Sequence, residues 1–229
     1  MRRSLRDILK RTVATMALVI TAMAGKAASP VEATDTVTAS GVFASLSHEV
    51  LDMLRPTTRL DMIDYYVQAD SLVSVQNALG GESRLEQVTD DYLKVRLTPV
   101  STLEIKVLPY GREFIVMTLY SVGDDDMAAD TAVDFFDSSL RPLPKGKFLK
   151  APAMTDFFLT GKSGISAAEL GELLPFAAVR YSIGEGDSPL EASFTSLQAI
   201  ADEDRSRLVP LLRSPLKAEW NGKSFIFKP

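Results

Sequence analysis

The spacing of apolar residues divides the chain into short helices and short strands. From Ser40, the residues Phe43, Leu46, Val50, Leu51 and Leu54 recur at helical intervals, which predicts an amphipathic helix ending before Pro56. A second helix is predicted from Thr58. Asp61 three residues on makes a capping pattern with it, and Leu60, Ile63 and Val67 share a face. The stretch NALGGES at 77–83 then interrupts the pattern, with Gly80 and Gly81 suited to a turn.

After this turn the period changes to two. Leu93, Val95 and Leu97 alternate with Lys94 and Arg96, and Leu103, Ile105 and Val107 alternate with Glu104 and Lys106. Two half-buried strands are predicted, 92–98 and 102–108. Only a register whose paired positions sum to an even number keeps both apolar sets on one face. The simplest such pairing sets Val95 opposite Ile105 and Arg96 opposite Glu104, across a Pro99-Val100-Ser101 connection. The run 114–122 is apolar on both faces, as expected of a covered central strand, and 131–136 reads as a further strand.

The segment 140–152 (LRPLPKGKFLKAP), with three Pro and four basic residues, reads as a linker. Beyond it, Ser166 and Glu169 open a helix over 167–174 that Pro175 stops. Alternation over 179–183 and 190–197 around a GEGDSP loop predicts a hairpin, followed by a helix over 201–212 that Asp202 caps and Pro210 disturbs. Asn221-Gly222 marks a type I′ hairpin that would put Leu216, Ala218, Trp220, Phe225 and Phe227 on one apolar face. The class is α+β, with helices packed on antiparallel meanders and hairpins. Its expected parts are an N-terminal half, 40–139, the linker, and a C-terminal half, 153–229. Similarity between 51–63 and 170–183 also raises the expectation of two similar helix-plus-sheet halves.

Composition adds an address. Arg2, Arg3, Arg6, Lys10 and Arg11 precede the uncharged run 12–24, which ends in Ala22-Met23-Ala24. Basic segment, apolar segment and small-residue site are the three parts of a cleavable signal peptide, so the mature chain is expected to begin near Gly25 in the periplasm or outside the cell. The apolar run is thirteen residues, short of the roughly 20 that a spanning helix needs, and an integral membrane protein is not expected. The polar stretch 25–39 reads as a flexible leader. Removing 1–24 leaves 20 Lys and Arg against 29 Asp and Glu, a balance that argues against a nucleic-acid partner. With no Cys in the chain, a buried core must stabilise the fold without disulfides.

Several segments resemble a known family. They are RLDMIDYY at 59–66, NALGG at 77–81, LTPVSTLEIKVLP at 97–109, ELLPFAAVRYSI at 172–183 and AEWNGKSF at 218–225. Together they resemble an uncharacterised domain-of-unknown-function family of exported proteins from anaerobic Gram-negative gut bacteria. The resemblance implies export and a shared fold, and carries over no catalytic residue. Where members of that family are expected to carry a Cys-containing loop, this chain has GDDDMAAD at 123–130, so no role of that loop transfers.

The candidate chemistry is sparse. His48 is the only histidine, so most nucleophilic triads and zinc sites would have to use it. Asp61 and Asp64, with Asp52 in reach and Tyr65 or Arg59 in support, could form a catalytic carboxylate pair, although a place near a helix N-terminus explains both acids as well. Asp124, Asp125, Asp126 and Asp130 could hold Ca²⁺, but their spacing is not that of an EF-hand and a solvated loop is the simpler role. Gly80-Gly81 and Gly184-Glu185-Gly186 lack the residues of a phosphate loop and read as turns. Lys145, Lys147 and Lys150 around Phe148 form a small basic stripe that could meet an anionic lipid or polymer. No cofactor is expected. The function expected from these residues is a non-enzymatic binding or protein-interaction module of the cell envelope, its partner a protein, glycan or lipid. The alternative is a carboxylate-based hydrolase acting on an envelope or extracellular substrate.

Overall fold

The computed structural model describes residues 37–228 except 69–72, 125–126, 162–163 and 185–189, and in it one antiparallel meander sorts the chain into three layers. Its strands lie in sequence order: β1 (Ser74–Gln76), β2 (Glu82–Val88), β3 (Tyr92–Thr98), β4 (Ser101–Tyr110), β5 (Glu113–Val122), β6 (Asp130–Asp137) and β7 (Pro142–Leu143). Side chains alternate across a strand, so the two faces of this sheet collect different residues. One face presents Leu85, Leu93, Val95, Leu97, Leu103, Ile105, Val107 and Val116 to α1 (Ala39–Ser45) and α2 (Pro56–Gln68). The other presents Leu108, Ile115, Met117, Leu119, Val133 and Phe135 to a second sheet.

The second sheet has the order β11-β10-β9-β8, built from β8 (Val179–Ile183), β9 (Leu190–Phe194), β10 (Leu216–Trp220) and β11 (Phe225–Phe227). Two further helices, α3 (Ala167–Leu173) and α4 (Asp202–Leu208), flank it. The fold is therefore α+β and mostly antiparallel meander. Each large apolar side chain buried in these cores contributes about 1.5–3 kcal/mol. β5 pairs with β4 on one side and β6 on the other and is buried on both faces from Ile115 to Leu119, as its continuous apolar run predicts.

The β3–β4 hairpin forms with a register two residues away from the expected one. Val95 faces Leu103, Leu93 faces Ile105, and Pro99-Val100 alone connects the strands. Both registers obey the even-sum rule, and the shorter connection selects between them. Glu104 consequently lies opposite Lys94 and not Arg96, whose Nε instead donates to Glu86 Oε1 at 3.0 Å across to β2. β1 and β2 carry too few apolar residues to be read from alternation, and a bulge between Leu85 and Gln87 breaks their period.

The first helix stops at Ser45, well short of Pro56, because a later side chain takes the backbone carbonyls. Arg59, fully buried on α2, donates from Nε to Leu54 O at 2.8 Å, from Nη1 to Phe43 O at 3.1 Å and Leu46 O at 2.5 Å, and from Nη2 to Leu51 O at 3.2 Å. The carbonyls left over at the end of α1, and those of the turns after it, thus meet a planar donor rather than another helical turn. Burial depresses the Arg59 pKa. α2 itself starts at Pro56, a favoured first helical residue, so Thr58 is inside the first turn and Asp61 does not cap it.

Segment 140–152, expected as a linker, is packed. Pro142 and Leu143 pair with β6, Phe148 and Leu149 are 0% and 2% exposed, and Leu149 bridges to Phe225. It separates the two sheets in sequence, while Val37–Pro229 forms one compact unit in which both sheets share a core. Val37–Ala39, expected at the end of a leader, belong to that unit; Thr38 Oγ1 caps α1 by accepting from Gly41 N at 3.1 Å. The similar stretches adopt different structures, since 56–63 is helical whereas 179–183 is a strand.

In the C-terminal part, Ser166 and Glu169 form the expected reciprocal cap on α3. α4 is shorter than predicted, begins after an uncapped Ala201, and passes into a 3-10 turn containing Pro210. The final hairpin has the predicted face, Leu216, Ala218, Trp220, Phe225 and Phe227 all packing on the shared core. Its loop is four residues and not two. Asn221 Oδ1 accepts from Lys223 N at 2.9 Å and Ser224 N at 2.8 Å, closing the turn with its side chain.

Candidate functional site

The carboxylates singled out in the sequence do not converge. Asp61 and Asp64 are exposed on α2, with no hydrogen-bond or ion-pair partner among the described residues. Arg59 turns inward to its carbonyls and is committed there. Asp52 lines a shallow groove of about 330 Å³ with Glu49, Tyr120 and Asp134, which neither Asp61 nor Asp64 lines. His48 is exposed in the turn after α1. Asp125 and Asp126 lie outside the described residues. Asp130 opens β6, and its Oδ1 accepts from Val179 N at 3.2 Å. Among the described residues, no group of three or more acids or histidines is placed to hold a metal ion.

A polar row emerges where the sequence predicted a solvated face. Lys94, Glu104 and Lys106 alternate with core residues, yet the second sheet covers this side of the hairpin, leaving Glu104 4% and Lys106 7% exposed. Glu104 Oε2 accepts from Tyr92 Oη at 2.7 Å and from Ile183 N at 3.1 Å. Thr131 Oγ1 accepts from Tyr181 N at 3.0 Å. With Asp130 on Val179, three side chains of the first sheet thus receive alternate N–H groups of β8, the edge strand of the second. Of these bonds that of Tyr181 is buried, that of Ile183 part-buried and that of Val179 exposed, and a donor left unpaired at the buried position would cost about 1–3 kcal/mol. Burial raises the Glu104 pKa, against the lowering effects of Tyr92, Ile183 and Lys94, and burial followed by the charge of Glu104 raises that of Tyr92. Lys106 Nζ lies 2.8 Å from Asp91 Oδ2; burial works to raise the Asp91 pKa, but the Lys106 contact and Thr89 outweigh it and hold it low. This cluster docks the sheets, and none of the grooves described here opens on Glu104.

A groove of about 580 Å³ lies at the opposite edge of the second sheet. Its apolar lining comes from Leu216, Phe225, Ile226 and Phe227 of the last hairpin, with Lys150-Ala151-Pro152 beside them. Lys150, Arg213 and Lys228 stand around it, all exposed. Lys228 reaches Glu219 at 2.5 Å, whereas Lys150 and Arg213 meet no acidic partner among the described residues. The one acid in the lining, Asp156, already accepts from Ala153 N at 2.8 Å. An apolar lining beside cations of this kind suits an anionic ligand with apolar parts, and the volume is that of an ordinary ligand site. Of the basic stripe seen in the sequence, Lys150 is on this rim. Lys147 instead stacks over Tyr110 and Phe148, at 5.0 and 5.1 Å from their ring centres. Arg213 and Lys228 were not singled out in the sequence, because only the folding of the last hairpin against 149–152 brings them to Lys150.

Comparison with known proteins supports the fold without naming a chemistry. A family described as protein of unknown function (DUF3256) matches residues 31–225. A solved domain of an uncharacterized protein from Porphyromonas gingivalis W83 is similar at a TM-score of 0.70 and 19% identity, over 82% of this chain and 96% of that one. No curated protein matches.

Proposed function

Since the chain belongs to the DUF3256 family of proteins of unknown function, we propose, from its own surface, that it is an exported, non-enzymatic binding module of the cell envelope. The groove between β11 and 150–152 is its ligand site. The observation that carries this reading is the pair Lys150 and Arg213, cations without acidic partners among the described residues, beside an apolar lining in a chain of net negative charge. Uncompensated like charge at one groove disfavours the free state slightly and is relieved by an anionic partner. A hydrolase reading draws no support from Asp61 and Asp64, which are exposed on α2 and line none of the grooves described.

Export is supported by the basic, apolar and small-residue segments of 1–24. Among the described residues, no helix is long and apolar enough to cross a membrane. The test is crosslinked affinity capture from envelope extract of the native cells, run in parallel with wild type and the double variant Lys150→Glu, Arg213→Glu. A partner recovered with wild type and lost with the variant supports the module. Partners recovered equally by both, or by neither, contradict it.

A further inference from the structure

The groove coincides with an open stretch of sheet edge. In the last hairpin, Lys228 N donates to Lys217 O at 2.9 Å and Asn221 N to Ser224 O at 3.2 Å. Hydrogen-bonded pairs alternate along an antiparallel ladder, so Ile226 pairs with Glu219, while Phe225 and Phe227 aim their backbone groups away from β10. On that outer side, Phe225 N is taken by Phe148 O at 2.7 Å. The chain then runs through Lys150 and Ala151 to Pro152, which has no N–H, and Phe227 is left bordering the groove with its N–H and C=O unpaired among the described residues.

We infer that this groove receives an extended acidic peptide segment of a partner protein, added along β11 at Phe227. The inference rests on the binding-module reading and names its ligand class. An added strand supplies an acceptor and a donor for the Phe227 edge. Its alternate side chains then point down to Leu216, Phe225 and Phe227 or out to Lys150, Arg213 and Lys228, so a sequence alternating apolar and acidic residues fits both layers. The negative charge of the chain as a whole makes this cationic rim the favoured approach for an acidic strand. A rounded anion or a lipid headgroup would use the cations and leave the strand edge open.

The probe is a short fluorescein-labelled peptide of alternating Val and Glu, with an alternating Val and Lys peptide as its counterpart, followed by anisotropy against the mature chain at physiological ionic strength. The Val-Glu peptide is expected to bind saturably, and the Val-Lys peptide not to bind. Lys150→Glu with Arg213→Glu is expected to weaken binding by about tenfold or more. These residues are exposed, so the variant is expected to fold, which its denaturation midpoint verifies. Hydrogen exchange at the Phe227 amide is expected to slow on saturation.

Equal binding of the two peptides overturns the inference, as does binding that ignores the double variant or leaves Phe227 exchange unchanged. Preference for phosphatidylglycerol vesicles over the peptide overturns it too. If neither peptide binds while the variant still loses its partner in cells, the ligand class is wrong and the module reading stands. If neither peptide nor partner depends on these residues, both fall.

Discussion

Glu104 Oε2 lies 3.1 Å from the backbone N of Ile183, so a carboxylate of the central sheet closes the edge of the second sheet from 79 positions earlier in the chain. The contact ties the sheets together at the cost of burying a charge. Since burial raises the Glu104 pKa, the folded chain holds that proton more tightly than the unfolded chain does. Its contribution to stability is therefore fully present below the unfolded value, about 4.3. It is lost as pH rises through the folded value. Glu86 adds to the upward shift, and Tyr92 and Lys94 oppose it.

Urea midpoints measured from pH 4 to 7 for wild type and Glu104→Gln are expected to diverge, with wild type losing stability relative to the variant as pH rises. A difference independent of pH sinks this account. Glu104→Ala, which strands the Tyr92 hydroxyl and the Ile183 N–H, is expected to cost about 2–4 kcal/mol at pH 4 and less at pH 7.

Tyr181, whose pKa burial and then the charge of Asp130 push up to about 12, titrates in the same sense at the alkaline end. Its proton is held more tightly in the folded chain, so stability declines once pH passes the unfolded value near 10. Tyr181→Phe is expected to remove part of the alkaline decline in unfolding midpoint. An unchanged alkaline limb would show that Tyr181 is not responsible.

Arg59 provides the second test, because its four short hydrogen bonds end on carbonyls and not on Asp61. Arg59→Lys keeps the charge but not the planar fork, and is expected to lose about 2 kcal/mol; Arg59→Ala should lose about 4. Asp61→Asn and Asp64→Asn, exposed and without partners among the described residues, should stay within about 0.5 kcal/mol of wild type. Denaturant unfolding of the four variants separates the two groups. Similar losses for all four would mean that α2 is held by its carboxylates after all.

Gly123 follows β5 with φ +111, and a Cβ there would stand 2.6 Å from Ala129 Cα. Both the backbone angle and the close approach require glycine. Gly123→Ala is expected to lower stability by about 2 kcal/mol, measured as a fall in melting temperature. A neutral outcome would contradict the close approach of Gly123 to Ala129.

What the sequence could show was local. The even-sum rule put the right residues of β3 and β4 on the right faces, but it admits registers two residues apart, and the short Pro99-Val100 turn chose the other one. The reciprocal cap of Ser166 and Glu169 and the apolar face of the last hairpin were legible for the same reason. Tertiary events were not. The helix from Ser40 was cut short by an arginine fourteen residues beyond Ser45, and the solvated face of the hairpin was buried by strands from the far end of the chain. The groove was half visible: Lys150 stood in a basic stripe, while Arg213 and Lys228 reach it only through the fold.

The most direct test of the binding site is photocrosslinking in the native cells from two exposed positions. Benzoylphenylalanine replaces Ile226 in the groove, 55% exposed, or Val67 on α2, 49% exposed and on the helix that carries Asp61 and Asp64. The account predicts one discrete adduct from position 226 and none from position 67. An adduct from position 67 with nothing at 226 would contradict it and move the functional surface to α2.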